Sequence, residues 1–216
     1  MLVLAPNLSA NATTPSLRDK FQSFWTDHGV KANTRASLLK AYDAGQMPDA
    51  VTGKSSSTDV TKRVGDYVVT TSTYADGSVS VSQVQAPLPT YAGTSSRVKP
   101  MAISGCSTGG TSGHITYSNC YVSGNNAAIT VGFQTSFTYV QGGYDLIENK
   151  GKNSYQQCAP GQCTDPIFDS WRQYETASAK AFLKYRFNYS VLGSTGTGFL
   201  QLTVGDTSAS SKFTAP

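Results

Sequence analysis

The stretch from Ala127 to Tyr139 reads AAITVGFQTSFTY, and within it large side chains alternate with small polar ones. A period of two places the large side chains on one face of a strand and the hydroxyl and amide groups on the other. The same alternation recurs in the segments that begin at Ala181 and at Leu200. Such alternation is typical of antiparallel strands with one buried face. The sequence therefore predicts a mainly β fold, an antiparallel β-sandwich.

Turn residues between the alternating segments indicate where the strands lie. We expect strands near 101–106, 114–122, 127–140, 178–190 and 199–205. Asp76-Gly77, between the alternating runs 67–73 and 79–84, predicts a further β-hairpin with a two-residue type I′ turn. Gly-rich sequence at 107–113 predicts a turn.

An N-terminal segment has helical rather than strand periodicity. Thr14 and Pro15 are suited to begin a helix that ends at Gly29, and Asn33 is suited to begin a second one that ends at Gly45. The first helix carries an apolar stripe, formed by Leu17, Phe21, Phe24 and Trp25. Two isolated short helices are marginal in water, so this helical hairpin either packs on the sheets or docks on a partner.

The chain thus divides into four predicted parts. These are a disordered tail over 1–14, the helical hairpin over 15–46, a polar linker with the β-hairpin over 47–100, and the β-sandwich over 101–216. A boundary is expected near 86–100, where Pro87, Pro89 and Pro100 interrupt the alternation.

Four cysteines allow three disulfide pairings. They stand at positions 106, 120, 158 and 163. Their spacing favours two local bonds, Cys106–Cys120 and Cys158–Cys163, and these disulfides predict a secreted, extracellular protein. A four-cysteine zinc site is the alternative, although only the second pair has the spacing of a zinc knuckle.

Composition narrows the class of partner. Charged residues make up 14% of the chain, against about 25% in an average domain, and 27 Ser and 25 Thr supply the polar surface instead. The net charge of +4 is scattered, so we expect no nucleic-acid partner. No run of about 18 apolar residues is present, so we expect no transmembrane segment.

The segment 141–176 breaks the strand alternation, carries the second cysteine pair and is rich in aromatic residues. Long irregular connections are often functional. Aromatic side chains on exposed loops suit flat ligands such as sugar rings. We therefore predict a ligand-binding surface here, for a glycan, a cell-envelope component or a protein partner, formed by Tyr144, Tyr155, Trp171 and Tyr174. A place in the core is the alternative for Trp171.

No catalytic constellation stands out. His28 and His114 lie far apart in sequence, and no Gly-x-Ser-x-Gly elbow is present. Glu148 and Glu175 are the only glutamates and could form the carboxylate pair of a glycoside hydrolase, whereas solvated loop charges are the simpler interpretation. We expect no catalytic residue, no cofactor and no bound metal.

The function that the sequence favours is a secreted, non-enzymatic binding or interaction module. A second possibility is a membrane-active, pore-forming toxin, because such toxins insert amphipathic hairpins like those at 64–84 and 130–138. Every half-buried antiparallel strand has the same pattern, so this signal is unspecific. A glycoside hydrolase-like enzyme is the third possibility.

Several short motifs carry a resemblance to a known group of proteins. They are FWTDHGV at 24–30, GQMPD at 45–49, TYADGSV at 73–79, ISGC at 103–106 and YSNC at 117–120. In pattern and spacing the chain resembles a group of secreted actinobacterial β-rich proteins of uncharacterised function. The resemblance implies export and a Cys106–Cys120 bond, and it brings no activity, cofactor or site.

Overall fold

The structure, a computed structural model, describes residues 15–88 and 105–215. The tail expected over 1–14 lies outside these residues, as does most of the strand expected near 101–106. The described part is mainly β, with two antiparallel sheets preceded by two short helices.

The helical hairpin consists of α1, Leu17–Asp27, and α2, Ala32–Asp43. The predicted cap of α1, Thr14, was wrong, because Ser16 occupies the capping position. The Ser16 hydroxyl accepts a hydrogen bond from the Asp19 amide at 3.2 Å, and the Asp19 carboxylate accepts one from the Ser16 amide. This reciprocal capping box satisfies main-chain donors that the first turn leaves free. The predicted cap of α2 was also wrong, since Lys31 precedes that helix and Asn33 lies inside it.

The first sheet contains eight strands. They are β1 Thr58–Val64, β2 Tyr67–Thr73, β3 Val79–Gln85, β4 Ser107–Thr111, β5 His114–Asn125, β6 Ile129–Val140, β7 Leu146–Ile147 and β8 Lys152–Cys158. Their order is β1-β2-β3-β5-β6, with β7 and β8 both paired to β6 and β4 paired to β5.

The second sheet contains four strands. They are β9 Gly161–Arg172, β10 Ala181–Val191, β11 Ser194–Gly205 and β12 Ser208–Thr214, in the order β12-β11-β10-β9. Every pairing in both sheets is antiparallel.

The core lies between the two sheets. The alternating residues of β6 and β10 that were predicted to be apolar on one face are buried there, among them Ile129, Val131, Phe133, Leu183 and Phe187. Burying a side chain of this size stabilises the fold by about 1.5–3 kcal/mol relative to exposure. The predicted antiparallel β-sandwich with an N-terminal helical hairpin is thereby confirmed.

The sheets extend into segments that were expected to be irregular. β1 lies in the expected linker, β4 in the expected Gly-rich turn, and β7, β8 and β9 in the segment 141–176. β3 pairs directly with β5, so the expected boundary near 86–100 does not separate a hairpin from the sandwich. The β2–β3 hairpin is where it was predicted, but among its turn residues only Gly77 has a positive φ, whereas a type I′ turn needs two.

A short segment after α2 attaches the helical hairpin to one end of the sandwich. The Asp49 amide donates to the Asp76 carboxylate at 2.8 Å, and Asn126 donates to the Ala50 carbonyl at 2.8 Å. The apolar stripe of α1 is buried and continuous with the core of the sheets. Of the two expectations for the hairpin, attachment to the sandwich is the one observed, through the segment after α2 and one continuous apolar core.

Both predicted disulfides are confirmed, with Cys106 bonded to Cys120 and Cys158 bonded to Cys163. The zinc alternative was wrong, because all four sulfur atoms are used in these bonds. Cys158 ends β8 of the first sheet, and Cys163 lies in β9 of the second. The second disulfide therefore ties the two sheets together where the chain crosses between them.

Candidate functional site

The four aromatic residues predicted to bind a ligand do not form one surface. Tyr155 pairs with Gly132 on β6, whereas Tyr174 bridges to Leu146, which in turn pairs with Thr138. Six residues of β6 separate these two levels, a distance of about 20 Å along the strand. A ligand-binding site must therefore be built around one of these positions, with other residues.

Trp171 belongs partly to the core. It pairs with the buried Leu183 of β10 and packs against the core cluster. The Lys150 ammonium lies 5.6 Å from the centre of its ring, a distance at which a cation is attracted to an aromatic face. Its partial burial against the core agrees with the alternative expectation for Trp171.

Tyr144 and Tyr174 are exposed beside two buried carboxylates. Asp145, only 1% exposed, accepts hydrogen bonds from the amides of Val140 at 2.8 Å and Thr207 at 2.7 Å. Burial raises the pKa of Asp145, and the negative charges of Glu175 and Asp206 act in the same direction.

Glu175 completes this carboxylate cluster. It accepts hydrogen bonds from the amides of Asp145 at 3.1 Å and Asp206 at 3.0 Å. Main-chain donors thus occupy the oxygens of both carboxylates. The cluster holds the β11–β12 turn, where Asp206 and Thr207 have positive φ, against the segment before β7.

Glu148 has a different environment from Glu175. It is exposed, and its carboxylate accepts a hydrogen bond from the Thr138 hydroxyl at 2.7 Å. Among the described residues no hydrogen bond joins the two glutamates. The two glutamates that a glycoside hydrolase would require thus have separate partners. Glu148 is bonded to a threonine hydroxyl, and Glu175 is bonded to main-chain amides.

The Tyr155 ring lies close to a glycine on the outer face of the first sheet. A Cβ atom on Gly132 would lie only 2.5 Å from Cε1 and 2.7 Å from Cζ of the Tyr155 ring. Tyr121 lies close to Gly105, where a Cβ atom would be 2.9 Å from its Cε2. We call these two rings and the two glycines beneath them the tyrosine platform.

Both side chains remain partly accessible, since Tyr121 is 37% and Tyr155 43% exposed. The rings lie on strands that flank β6, two strand spacings or about 10 Å apart. Burial raises the pKa of Tyr155, and the neighbouring Tyr121 adds to this. Tyr155 therefore stays a neutral hydrogen-bond donor at physiological pH.

Amide groups lie between the rings. Gln134 pairs with Tyr121 across β5 and β6, and the Asn153 side chain donates to its Oε1 at 2.6 Å. Gln134 is buried, whereas Asn153 is exposed. Exposed aromatic side chains with an adjacent amide can contact the apolar face of a sugar ring and bond its hydroxyl groups.

Tyr121 was missed because a β-bulge changes the direction of its side chain. The pairing of β5 with β6 shifts between Tyr117 and Cys120, and Asn119 there has φ of 57°. Tyr117 and Cys120 are both buried, so Tyr121 points outward. The signal in the sequence was Gly132 within β6, because a glycine in a strand often marks a site where another group approaches the backbone closely.

A cleft of about 730 Å³ lies between α2 and the segment after it. Its apolar wall includes Leu38 and Met47, and its charged rim includes Asp49. The Lys54 ammonium already pairs with the Asp49 carboxylate at 2.7 Å. Because that charge is neutralised within the chain, the cleft offers less to a ligand than the tyrosine platform does.

Comparisons with known proteins add no family to this description. No protein-family model, no curated protein and no solved structure matches the chain. In the described part of the chain, neither helix has the length and apolarity needed to cross a membrane.

Proposed function

We propose that the protein is a secreted, non-enzymatic binding module that recognises a polysaccharide through the tyrosine platform. The observation that carries the proposal is the pair of partly exposed tyrosine rings that lie close to glycines. The two disulfides support secretion, because such bonds persist in oxidising compartments.

The rigidity of the platform favours binding of a pre-formed, flat ligand. Both rings lie on strands of the eight-stranded sheet, and Gln134 is fixed between them by Asn153. Rigid aromatic side chains lose little conformational entropy on binding. A planar polysaccharide chain of the cell envelope or of an extracellular matrix is the ligand chemistry that suits this surface.

The test is sedimentation of the folded protein with insoluble cellulose, chitin and peptidoglycan. We expect binding to at least one of them, and we expect Tyr121→Ala and Tyr155→Ala each to weaken it by about 2 kcal/mol, or about 30-fold, as for a hot-spot aromatic. Tyr144→Ala and Tyr174→Ala are matched controls, since both are exposed tyrosines away from the platform. Equal loss in all four variants, or in none, would contradict the proposal.

A glycine variant tests the geometry without removing a ring. Gly132 has no positive φ, so its backbone accepts alanine, but the added methyl group must lift the Tyr155 ring from the sheet. We expect Gly132→Ala to weaken polysaccharide binding while the far-ultraviolet circular dichroism spectrum stays unchanged. If Gly132→Ala binds as tightly as the parent protein, the close approach of the Tyr155 ring to Gly132 does not contribute to binding.

Two controls separate the other functions. Product release from the same polysaccharides, measured in Glu148→Gln and Glu175→Gln, reports hydrolysis, and leakage of dye from liposomes reports pore formation. Product release that either variant abolishes would replace the binding proposal by the hydrolase. Leakage without polysaccharide binding would replace it by the toxin.

A further inference from the structure

β1 is an open edge of the first sheet. Among the described strands it pairs only with β2, and its seven residues are all exposed. The pairing runs without a bulge, and the strand contains no proline. An edge of this kind presents unpaired N–H and C=O groups that can receive another strand.

The edge at β9 and the edge beyond β6 are interrupted. β9 contains Pro166 and has two shifts of register against β10. On the far side of β6 the edge is divided between the two-residue β7 and β8, whose pairing is itself irregular. Bulges, prolines, short strands and charged side chains are features by which proteins prevent pairing at an edge. Of these β1 has only the charged side chains of Asp59, Lys62 and Arg63.

The turn after β1 determines which main-chain groups point outward. Val64 and Tyr67 enclose the two-residue turn Gly65-Asp66, with φ of 57° at Gly65, as in a type II′ hairpin. The residues that close such a turn form a hydrogen-bonded pair, and bonded and non-bonded pairs alternate along the strands. Hence Asp59, Thr61 and Arg63 direct their N–H and C=O groups away from β2.

We propose that β1 pairs antiparallel with β1 of a second copy of this chain, with the two-fold axis at Thr61. In this register Asp59 of each copy lies opposite Arg63 of the other, and Val60 lies opposite Lys62. No two like charges are directly opposite. The three outward-facing residues of each copy supply a complete set of main-chain hydrogen bonds, and the two eight-stranded sheets become one continuous sheet.

The charges of β1 select a second copy over an unrelated strand. The strand reads TDVTKRV, so its acidic residue and its arginine are equally distant from Thr61, and the sequence is complementary to itself in the antiparallel direction. Opposite charges on facing positions stabilise a strand pair. Val60, 56% exposed, would be covered by the aliphatic part of Lys62 from the other copy.

A single cysteine at the axis tests the register. Thr61→Cys places two thiols opposite each other, whereas Thr58→Cys, the matched control on the same exposed strand, places them about 20 Å apart. All native cysteines are in disulfides, so the introduced thiol is free to react. We expect rapid formation of a disulfide-linked dimer by Thr61→Cys and not by Thr58→Cys. Equal rates for the two variants would overturn the proposal.

The second test exchanges the charges of Asp59 and Arg63. Analytical ultracentrifugation measures the dissociation constant of the dimer for each variant. We expect Asp59→Arg and Arg63→Asp each to weaken the dimer at least tenfold and the double variant to restore it. Asp59 also pairs with Lys212 at 2.6 Å within the chain, but the double variant does not restore that pair, so rescue reports contact between copies. A parent protein that stays monomeric at millimolar concentration would overturn the proposal, independently of any polysaccharide binding.

Discussion

Asp145 is a single buried residue that connects two distant parts of the chain, although its burial disfavours the ionised form of its carboxylate. Its carboxylate joins the end of β6 to the β11–β12 turn through the amides of Val140 and Thr207. The same burial that makes these bonds strong also disfavours the ionised form, and the pKa of Asp145 is raised.

This raised pKa predicts a pH dependence of stability. An unfolded Asp titrates near pH 3.9, and the folded protein binds the proton more tightly, so the contribution of Asp145 to stability is largest at low pH and is lost as the pH rises through the folded-state pKa. Relative to the non-titrating Asp145→Asn variant, we expect the free energy of unfolding of the parent protein to fall as the pH rises above about 4.

Urea denaturation at several pH values measures this difference. Asp27→Asn is the control, because Asp27 is exposed at the end of α1, away from this cluster. A difference between the parent protein and Asp145→Asn that stays constant with pH would contradict the assignment.

At the scale of elements, the helical hairpin is stabilised by aromatic packing as well as by its connection to the sandwich. The fully buried ring of Phe21 stacks on Trp25 with ring centres 5.1 Å apart and meets the edge of Tyr42 at 5.4 Å. Since each of these rings lies on α1 or α2, removal of one loosens the packing between the two helices.

We expect Phe21→Ala to lower the free energy of unfolding by about 3–5 kcal/mol, the range for truncation of a buried aromatic residue. Gln22→Ala, next to it on the exposed face of α1, should change the same quantity by less than about 0.5 kcal/mol. Chemical denaturation measures both variants. Equal effects would mean that the hairpin contributes little to the stability of the whole.

Elements with one buried face were predictable from sequence, and elements at the edges of the sheets were not. β6 and β10 alternate because one side of each lies in the core. β1 is exposed along its whole length, and β9 is largely exposed, so selection for apolar residues at every second position is absent there. Tyr155 entered the predicted binding surface because it lies in an aromatic-rich segment, whereas the outward direction of Tyr121 depends on a bulge that no sequence period reveals.

On the scale of the whole molecule, the last strand covers the first sheet. The Ser82 hydroxyl on β3 donates to the Ser211 carbonyl on β12 at 2.7 Å, across 129 residues of chain. Phe213 is buried, stacks on Phe187, and lies so close to Gly124 of β5 that a Cβ atom there would be 2.6 Å from its ring.

We therefore expect Phe213→Ala to destabilise the entire sandwich by about 3–5 kcal/mol, with both sheets unfolding in one transition. Lys212→Ala changes the neighbouring, half-exposed side chain and should cost less than about 1 kcal/mol, as for a surface ion pair. Thermal unfolding followed by circular dichroism and by tyrosine fluorescence gives the comparison. Separate transitions for the two probes would indicate that the sheets fold independently.

The position of β12 also has a consequence for biosynthesis. Until β12 has been synthesised, the inner faces of β2 and β3 lack the layer that this strand supplies, and the hydrogen bond between Ser82 and Ser211 cannot form. Contacts of such large sequence separation fold slowly. A nascent chain therefore cannot complete the sandwich before residue 211 has emerged from the ribosome.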